Sequence, residues 1–280
     1  MYKSLNPGAI GVKTDLAGAA RLAGTHGFQG LHTSIEEIAA LGVTRTQDIL
    51  SGAGVQAAAF GLPVNLYGPE TQFLDDLAGL PALGAVALGM GLTRTATWMP
   101  SWHDELDWDE NYAFIKDRVG RTAAILANYN IRLGLEFLGP LTLLEGHKYV
   151  FIHSMGAMLE LCAQIPSGNV GLLLDAYHWW TSGGSWGELE ALSDAQVVDV
   201  HVNDAQAGLS REGQIDQVRA LPGETGVIGI PRFLKTLAGI GYSGPVMVEP
   251  FSARVNAMTP DDAVRTTSEA LGKTWQEAGL

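Results

Sequence analysis

The segment Val170-Gly-Leu-Leu-Leu-Asp175-Ala-Tyr-His178-Trp-Trp is a short apolar run that stops on an acid. A helical pattern follows at Ser185–Leu192, and a second run, Val197-Val-Asp-Val-His201-Val-Asn-Asp204, repeats the design. A strand, a helix and another strand of this kind make a parallel βαβ unit. The same alternation extends outward in both directions. Apolar runs that read as strands are Gly8–Val12, Gln29–Thr33, Gln56–Phe60, Gly89–Arg94, Arg132–Phe137, Val170–Asp175, Val197–Asn203 and Val246–Glu249. Helical patterns separate them at Leu16–Gly24, Ser34–Ile49, Thr71–Leu83, Glu110–Asn128, Lys148–Ile165, Ser185–Leu192, Ile230–Ile240 and Thr259–Glu277. Eight such units predict α/β architecture, a single (β/α)8 TIM barrel over residues 1–280. A doubly wound sheet is the rival, but Ala9-Ile-Gly-Val-Lys lacks the glycine fingerprint of a dinucleotide-binding turn.

Composition supports one large core. Hydrophobic residues are 46% of the 280, charged residues only 17%, and 35 glycines suit many tight turns. The formal charge of -13 opposes a nucleic-acid partner, which needs a basic surface to displace counterions. Met1-Tyr-Lys-Ser-Leu-Asn-Pro has no apolar core of a signal peptide, and Leu77–Thr93 is interrupted by Pro81 and glycines. A cytoplasmic chain without a membrane partner is the expectation. The one cysteine, Cys162, sits in Met158-Leu-Glu-Leu-Cys-Ala and reads as a buried thiol.

In a barrel of this type, catalytic groups come from the C-terminal ends of the strands. The last four strands each end near a metal-competent residue: Glu136, Asp175, His201 and Glu249. An ionised acid behind three or four aliphatic residues is costly unless it is paired, protonated or on a metal. Four in succession converge on one mouth. Three carboxylates and one imidazole suit Mn²⁺, Mg²⁺, Co²⁺ or Zn²⁺, and the lack of thiolate argues against a structural zinc site. One divalent ion is expected, with Mn²⁺ favoured.

The chain resembles the xylose-isomerase-like barrels, the sugar isomerase and epimerase superfamily. The resemblance runs over nearly its whole length and is clearest from Glu136 to Phe251. It is carried by Leu135-Glu136-Phe137, Leu174-Asp175-Ala-Tyr-His178, Val200-His201-Val-Asn-Asp204, Leu221-Pro-Gly-Glu-Thr-Gly-Val-Ile and Gly241-Tyr-Ser-Gly-Pro-Val-Met-Val-Glu249-Pro-Phe. The resemblance implies that Glu136, Asp175, His201 and Glu249 hold the metal. It implies that Glu136 and Glu249 also act as the acid/base pair, and that His178 contacts a substrate oxygen. It further implies an arginine shortly after the metal histidine, for which Arg211 and Arg219 both qualify; Arg211 is taken as the substrate-binding one. Trp102, within the Trp98–Trp108 cluster, is read as a substrate wall; a loop buried against a partner subunit explains that cluster equally well. His32 ends the second strand, where it either lines the pocket or caps a helix.

The activity implied is a metal-dependent isomerase or epimerase that takes a proton from carbon next to a carbonyl of a keto-sugar or related polyol. A dehydratase or lyase could use the same site. A three-zinc phosphodiesterase and a non-enzymatic subunit are further readings, opposed by the charge and by the intact quartet respectively. The absence of a phosphate cradle argues for a free sugar. The aromatic cluster hints at a homodimer or homotetramer.

Overall fold

The computed structural model describes residues 1–280. Eight parallel strands close into a barrel: β1 Tyr2–Leu5, β2 Gly30–Thr33, β3 Gln56–Gly61, β4 Arg94–Met99, β5 Arg132–Phe137, β6 Val170–Asp175, β7 Val197–Val202 and β8 Pro245–Val248. They are ordered in sequence around the ring, β8 pairing with β1 through Tyr2 opposite Pro245. Helices cover the outside, and the last of them, Pro260–Glu277, starts behind a Thr259 cap with proline in its first turn.

Six of the eight predicted strands fall where the sequence places them, within a residue or two at their ends. The first does not. Gly8–Ile10 is a 3-10 turn closed by Gly11 at φ 73°, and the strand is Tyr2–Leu5. Its polar residues hid it: Ser4 is fully buried and faces His32, 2.9 Å from Nδ1. The fourth strand is Arg94–Met99, because the helix before it runs from Glu70 to Met90 and ends at Gly91, φ 70°. β-branched and aromatic residues in Thr95-Ala-Thr-Trp98 favour the later register. The predicted Ser34–Ile49 helix breaks at Gly42, giving Ile35–Leu41 and Val43–Gly52. Of Lys148–Ile165 only Met155–Ala163 is α-helical; Tyr149–Val150 instead pairs antiparallel with Trp102–His103 above the barrel.

Helix Glu70–Met90, mean hydropathy 1.4 over its most apolar window, is long and apolar enough to cross a membrane. Here it packs Phe73, Leu77, Leu80 and Ala87 inward. Cys162 is buried on the inner side of Met155–Ala163.

The strand register sets the site. Trp98 is opposite Glu136, Asp175 opposite His201, and His201 opposite Met247, two residues before Glu249. Four ligand candidates from four adjacent strands therefore gather at the C-terminal rim, neighbours lying within two residues of each other in register. Beneath Glu136 the interior is filled by small residues: a Cβ on Gly134 would lie 3.2 Å from the Cβ atoms of Ala96 and Val198.

Candidate metal centre

Each ligand candidate is delivered by a strand whose aliphatic residues are buried around it. Leu172, Leu173 and Leu174 lead to Asp175, and Val246, Met247 and Val248 lead to Glu249. Burying a leucine or valine side chain stabilises by about 1.5–3 kcal/mol, so the acids at the strand ends are carried into the interior by their neighbours. Donor atoms of Glu136, Asp175, His201 and Glu249 all lie within 4.8 Å of one another.

Two donor atoms in this cluster have no partner. Glu136 Oε1 and His201 Nδ1 are buried, make no hydrogen bond, and stand 3.8 Å apart. Buried polar atoms are almost always satisfied, and an orphaned carboxylate oxygen facing an orphaned imidazole nitrogen is an arrangement that a cation completes. The hard-to-borderline donor set fits a divalent ion.

The electrostatics carry the same sign. Burial pushes Glu136 well above the usual carboxylate range, and the negative charges of Glu249 and Asp175 add to it. Asp175 is also raised by burial, against the pull of Arg219. For His201, burial opposes protonation, but the Glu249 carboxylate 3.6 Å away, Glu136 and Asp199 outweigh it and raise the imidazole to about 10. Burial likewise opposes ionisation of Glu249, yet His201 and Arg219 hold it below its usual value.

The remaining polar groups are organised around this centre. Asn203 Nδ2 donates to Asp175 Oδ2 at 3.0 Å and to the Glu249 carbonyl at 3.2 Å, tying two ligands together. His178 Nε2 lies 3.0 Å from Arg219 Nη2, and Nδ1 accepts from the Gly139 N–H at 3.2 Å. Only glycine permits that approach, because a Cβ at 139 would collide with the His178 carbonyl oxygen. His178 Nε2 then lies 3.5 Å from Asp216 Oδ1 and 3.8 Å from Glu136 Oε1. Burial, followed by the charges of Arg219 and His201, lowers its pKa well below the imidazole norm and keeps it neutral.

The two arginine candidates separate cleanly. Arg219 is buried in the site, with Nη1 2.9 Å from Asp175 Oδ2 and 3.3 Å from Glu249 Oε2. Arg211 is not in the pocket. Its guanidinium lies 4.9 Å over the Trp180 ring, so of the two expected candidates it is Arg219, and not Arg211, that lines the cavity. The reason lies in the loop from Asp204 to Ile228. Asp204 accepts from the backbone N–H groups of Thr225, Gly226 and Ile228 and bridges to Ala220, and this turns Arg219 inward.

A cavity of about 240 Å³ opens onto the centre. Trp98, Trp102, Leu138, Leu143 and Phe251 form its apolar wall, while Glu136, His178, Asp216, Gln217, Arg219 and Glu249 form its polar floor. Trp102 is stacked on His147 with ring centroids 4.3 Å apart. Beyond His201 lies a second hollow of about 360 Å³, reaching His32, Asp199 and Asn6. There His32 Nε2 is 2.8 Å from Asp199 Oδ2, so His32 ties strand β2 to strand β7 and is not a helix cap. A larger surface depression of about 650 Å³, beside Glu190, Arg232, Lys235 and Glu277, lies on the outer helices away from this chemistry.

Reading the sequence missed Asp199, Asn203 and Asp216. Asp199 carried a signal: two residues before His201 in a strand, it must share its face. Asp216 carried none, because its place depends on loop shape.

The family model of the xylose isomerase-like TIM barrel matches residues 18–274. An inosose isomerase of Halalkalibacterium halodurans is 26% identical over 141 residues, which is 50% of this chain and 47% of that protein. The chain thus spans about half the length of the curated relatives it matches. A xylose isomerase domain protein from Alicyclobacillus acidocaldarius superposes with a TM-score of 0.89 at 28% identity, covering 100% of both chains. The IOLI protein with a bound zinc atom has the same fold, with a TM-score of 0.82 at 16% identity and 99% of each chain covered.

Proposed function

The chain belongs to the xylose isomerase-like TIM barrel family, and on that premise we propose that it is a divalent-metal-dependent isomerase or epimerase of a keto-sugar or related polyol. The observation that carries the reading is the quartet Glu136, Asp175, His201 and Glu249, with two orphaned donors facing each other, beside a cavity of about 240 Å³ that Glu136 and Glu249 line. These four residues would hold the ion. Mn²⁺ is the first ion to test on donor hardness, with Zn²⁺ beside it because the IOLI relative binds zinc. When bound, a divalent ion supplies charge stabilisation for the enediolate oxygens that form when a proton leaves the neighbouring carbon.

The chain's own residues supply the rest. Glu249, 18% exposed at its side chain, reaches the cavity from β8, and Glu136 faces it from β5, three strands around the ring. One takes the proton from carbon, and the other returns it to the opposite face in an epimerisation. His178, kept neutral beside Arg219, contacts a substrate oxygen. Arg219 orients a neighbouring hydroxyl, and Trp98, Trp102 and Phe251 cover the C–H surface and exclude water. Cavity size, and a floor on which Arg219 is already paired with the acids around it, favour a small neutral substrate.

The test is to load the protein with Mn²⁺ or Zn²⁺, incubate it with inosose and with free keto-hexoses in D₂O, and follow deuterium entering the carbon next to the carbonyl. Isomerised or epimerised product carrying deuterium supports the reading. Elimination of water from the same substrate moves the activity to a dehydratase, and the absence of exchange with any of them refutes proton abstraction at this site.

A further inference from the structure

We infer that Asp216 is a positioning residue that restrains Arg219 from occupying the place of the metal; the inference rests on the metal-site reading above. Arg219 is 3% exposed, a cation that cannot return to water. Its guanidinium lies over the rings of Tyr177 and Phe251, whose centroids are 4.7 Å and 4.5 Å from Cζ. The group is planar, and its hydrogen bonds leave along its edges. At one edge of that plane Nη1 touches Asp175 and Glu249, two of the four ligand candidates. At the other, Asp216 takes Nη2 on Oδ1 at 2.7 Å and Nε on its own carbonyl at 2.9 Å. Asp216 is therefore the carboxylate on this guanidinium that stands outside the metal quartet.

The two edges compete. A divalent ion held by the quartet and the Nη1 edge of Arg219 would draw on the same two carboxylates, Asp175 and Glu249. Asp216 offers an equivalent charge-assisted bond from the far side and keeps the guanidinium from settling fully onto the ligands. Its own orientation is fixed, since Gln217 Nε2 donates to Oδ2 at 2.8 Å. The surrounding backbone does not depend on the Asp216 side chain: Tyr177 OH donates to the Ile215 carbonyl at 2.9 Å, and Ala220 exchanges 2.8 Å hydrogen bonds with Asp204. Removing the carboxylate should leave the loop in place and let Arg219 lean on Asp175 and Glu249.

The experiment is a calorimetric titration of Mn²⁺ into the full chain and three variants, with no substrate present. Asp216→Ala should weaken Mn²⁺ binding by about 10-fold or more, the scale of one charge-assisted bond gained by Arg219 on the ligands. Arg219→Ala should bind at least as tightly as the parent, and the double variant should match Arg219→Ala. That rescue separates the competition from loss of structure. Unchanged or tighter binding by Asp216→Ala overturns the inference, and so does a double variant as weak as Asp216→Ala. If Asp216→Ala does not fold, Asp216→Asn replaces it, keeping an acceptor without the charge, and the same reversal by Arg219→Ala is required. A parent chain that binds neither Mn²⁺ nor Zn²⁺ brings down the metal-site reading itself, whereas the variant outcomes bear on Asp216 alone.

Discussion

Loading the quartet with a divalent ion should release protons, and the affinity should rise with pH. To ligate, His201 must be neutral. The surrounding carboxylates raise it to about 10, so at neutral pH the competent form is a minor one. Three pH units below that value, the neutral fraction is about 10⁻³, a competition worth about 4 kcal/mol. The sign follows directly. A proton and the ion compete for Nδ1, so each unit of pH rise toward about 10 should tighten binding by about tenfold. Between about pH 6 and pH 8 the Kd should fall about 100-fold. Glu136, held well above the carboxylate range by burial, steepens the dependence where it is still protonated and cannot flatten it. The assay is Mn²⁺ calorimetry in buffers of different ionisation enthalpy, which counts protons directly; about one or more should leave per ion near pH 7. A pH-independent Kd with no buffer-dependent heat would mean that His201 is neutral before the ion arrives. The account of its field from Glu249 and Glu136 would then be wrong.

Glu249→Gln should lower turnover by about 10²–10⁴-fold, the usual contribution of a positioned acid or base, with the fold retained but a lower thermal midpoint, because it removes a carboxylate that His201 and Arg219 hold ionised; near-normal turnover would remove it from the acid/base pair. His32→Leu strands the buried Asp199 carboxylate, which His32 helps hold in its charged form against the cost of burial. Loss of about 3 kcal/mol is expected, some 6 °C or more in thermal midpoint, partly recovered by adding Asp199→Asn; an unchanged midpoint would show that the pair bears no strain. Arg211→Ala should change kcat/KM by less than about threefold, since Arg211 stacks on Trp180 outside the cavity; a large loss would return it to the substrate site.

What the sequence made legible follows from where interactions are local. Strands β5 to β8 could be read because an apolar run that stops on an acid or imidazole carries both its burial and its polarity in six consecutive residues. The quartet came with them, since strand register alone brings Glu136, Asp175, His201 and Glu249 to one rim. β1 was hidden because Ser4 is stabilised inside the barrel by His32, 28 residues away, a partner no local pattern announces. The β4 boundary slipped because Gly89–Arg94 read as an apolar run of strand length, while the helix continues to Met90. Arg219 could not be told from Arg211 because the choice depends on Asp204 gathering three backbone N–H groups from more than twenty residues on.

That division between local and distant control bears on how the site works. Four carboxylates, Glu136, Asp175, Asp216 and Glu249, crowd one site with a single guanidinium and the His201 imidazole to balance them, His178 being held neutral. A folded chain has two ways to relieve such an excess: it can protonate an acid, or it can admit a cation. Burial already drives Glu136 toward the first. The orphaned Oε1 of Glu136, facing the orphaned Nδ1 of His201, is the geometry for the second. The strands carry three of the acids that create the excess, whereas the loop set by Asp204 carries Asp216 and the arginine that offsets them. Changes in that loop can therefore retune ion affinity and substrate contact without moving a ligand, because Arg219 and Asp216 act on the quartet from outside the strands that hold it.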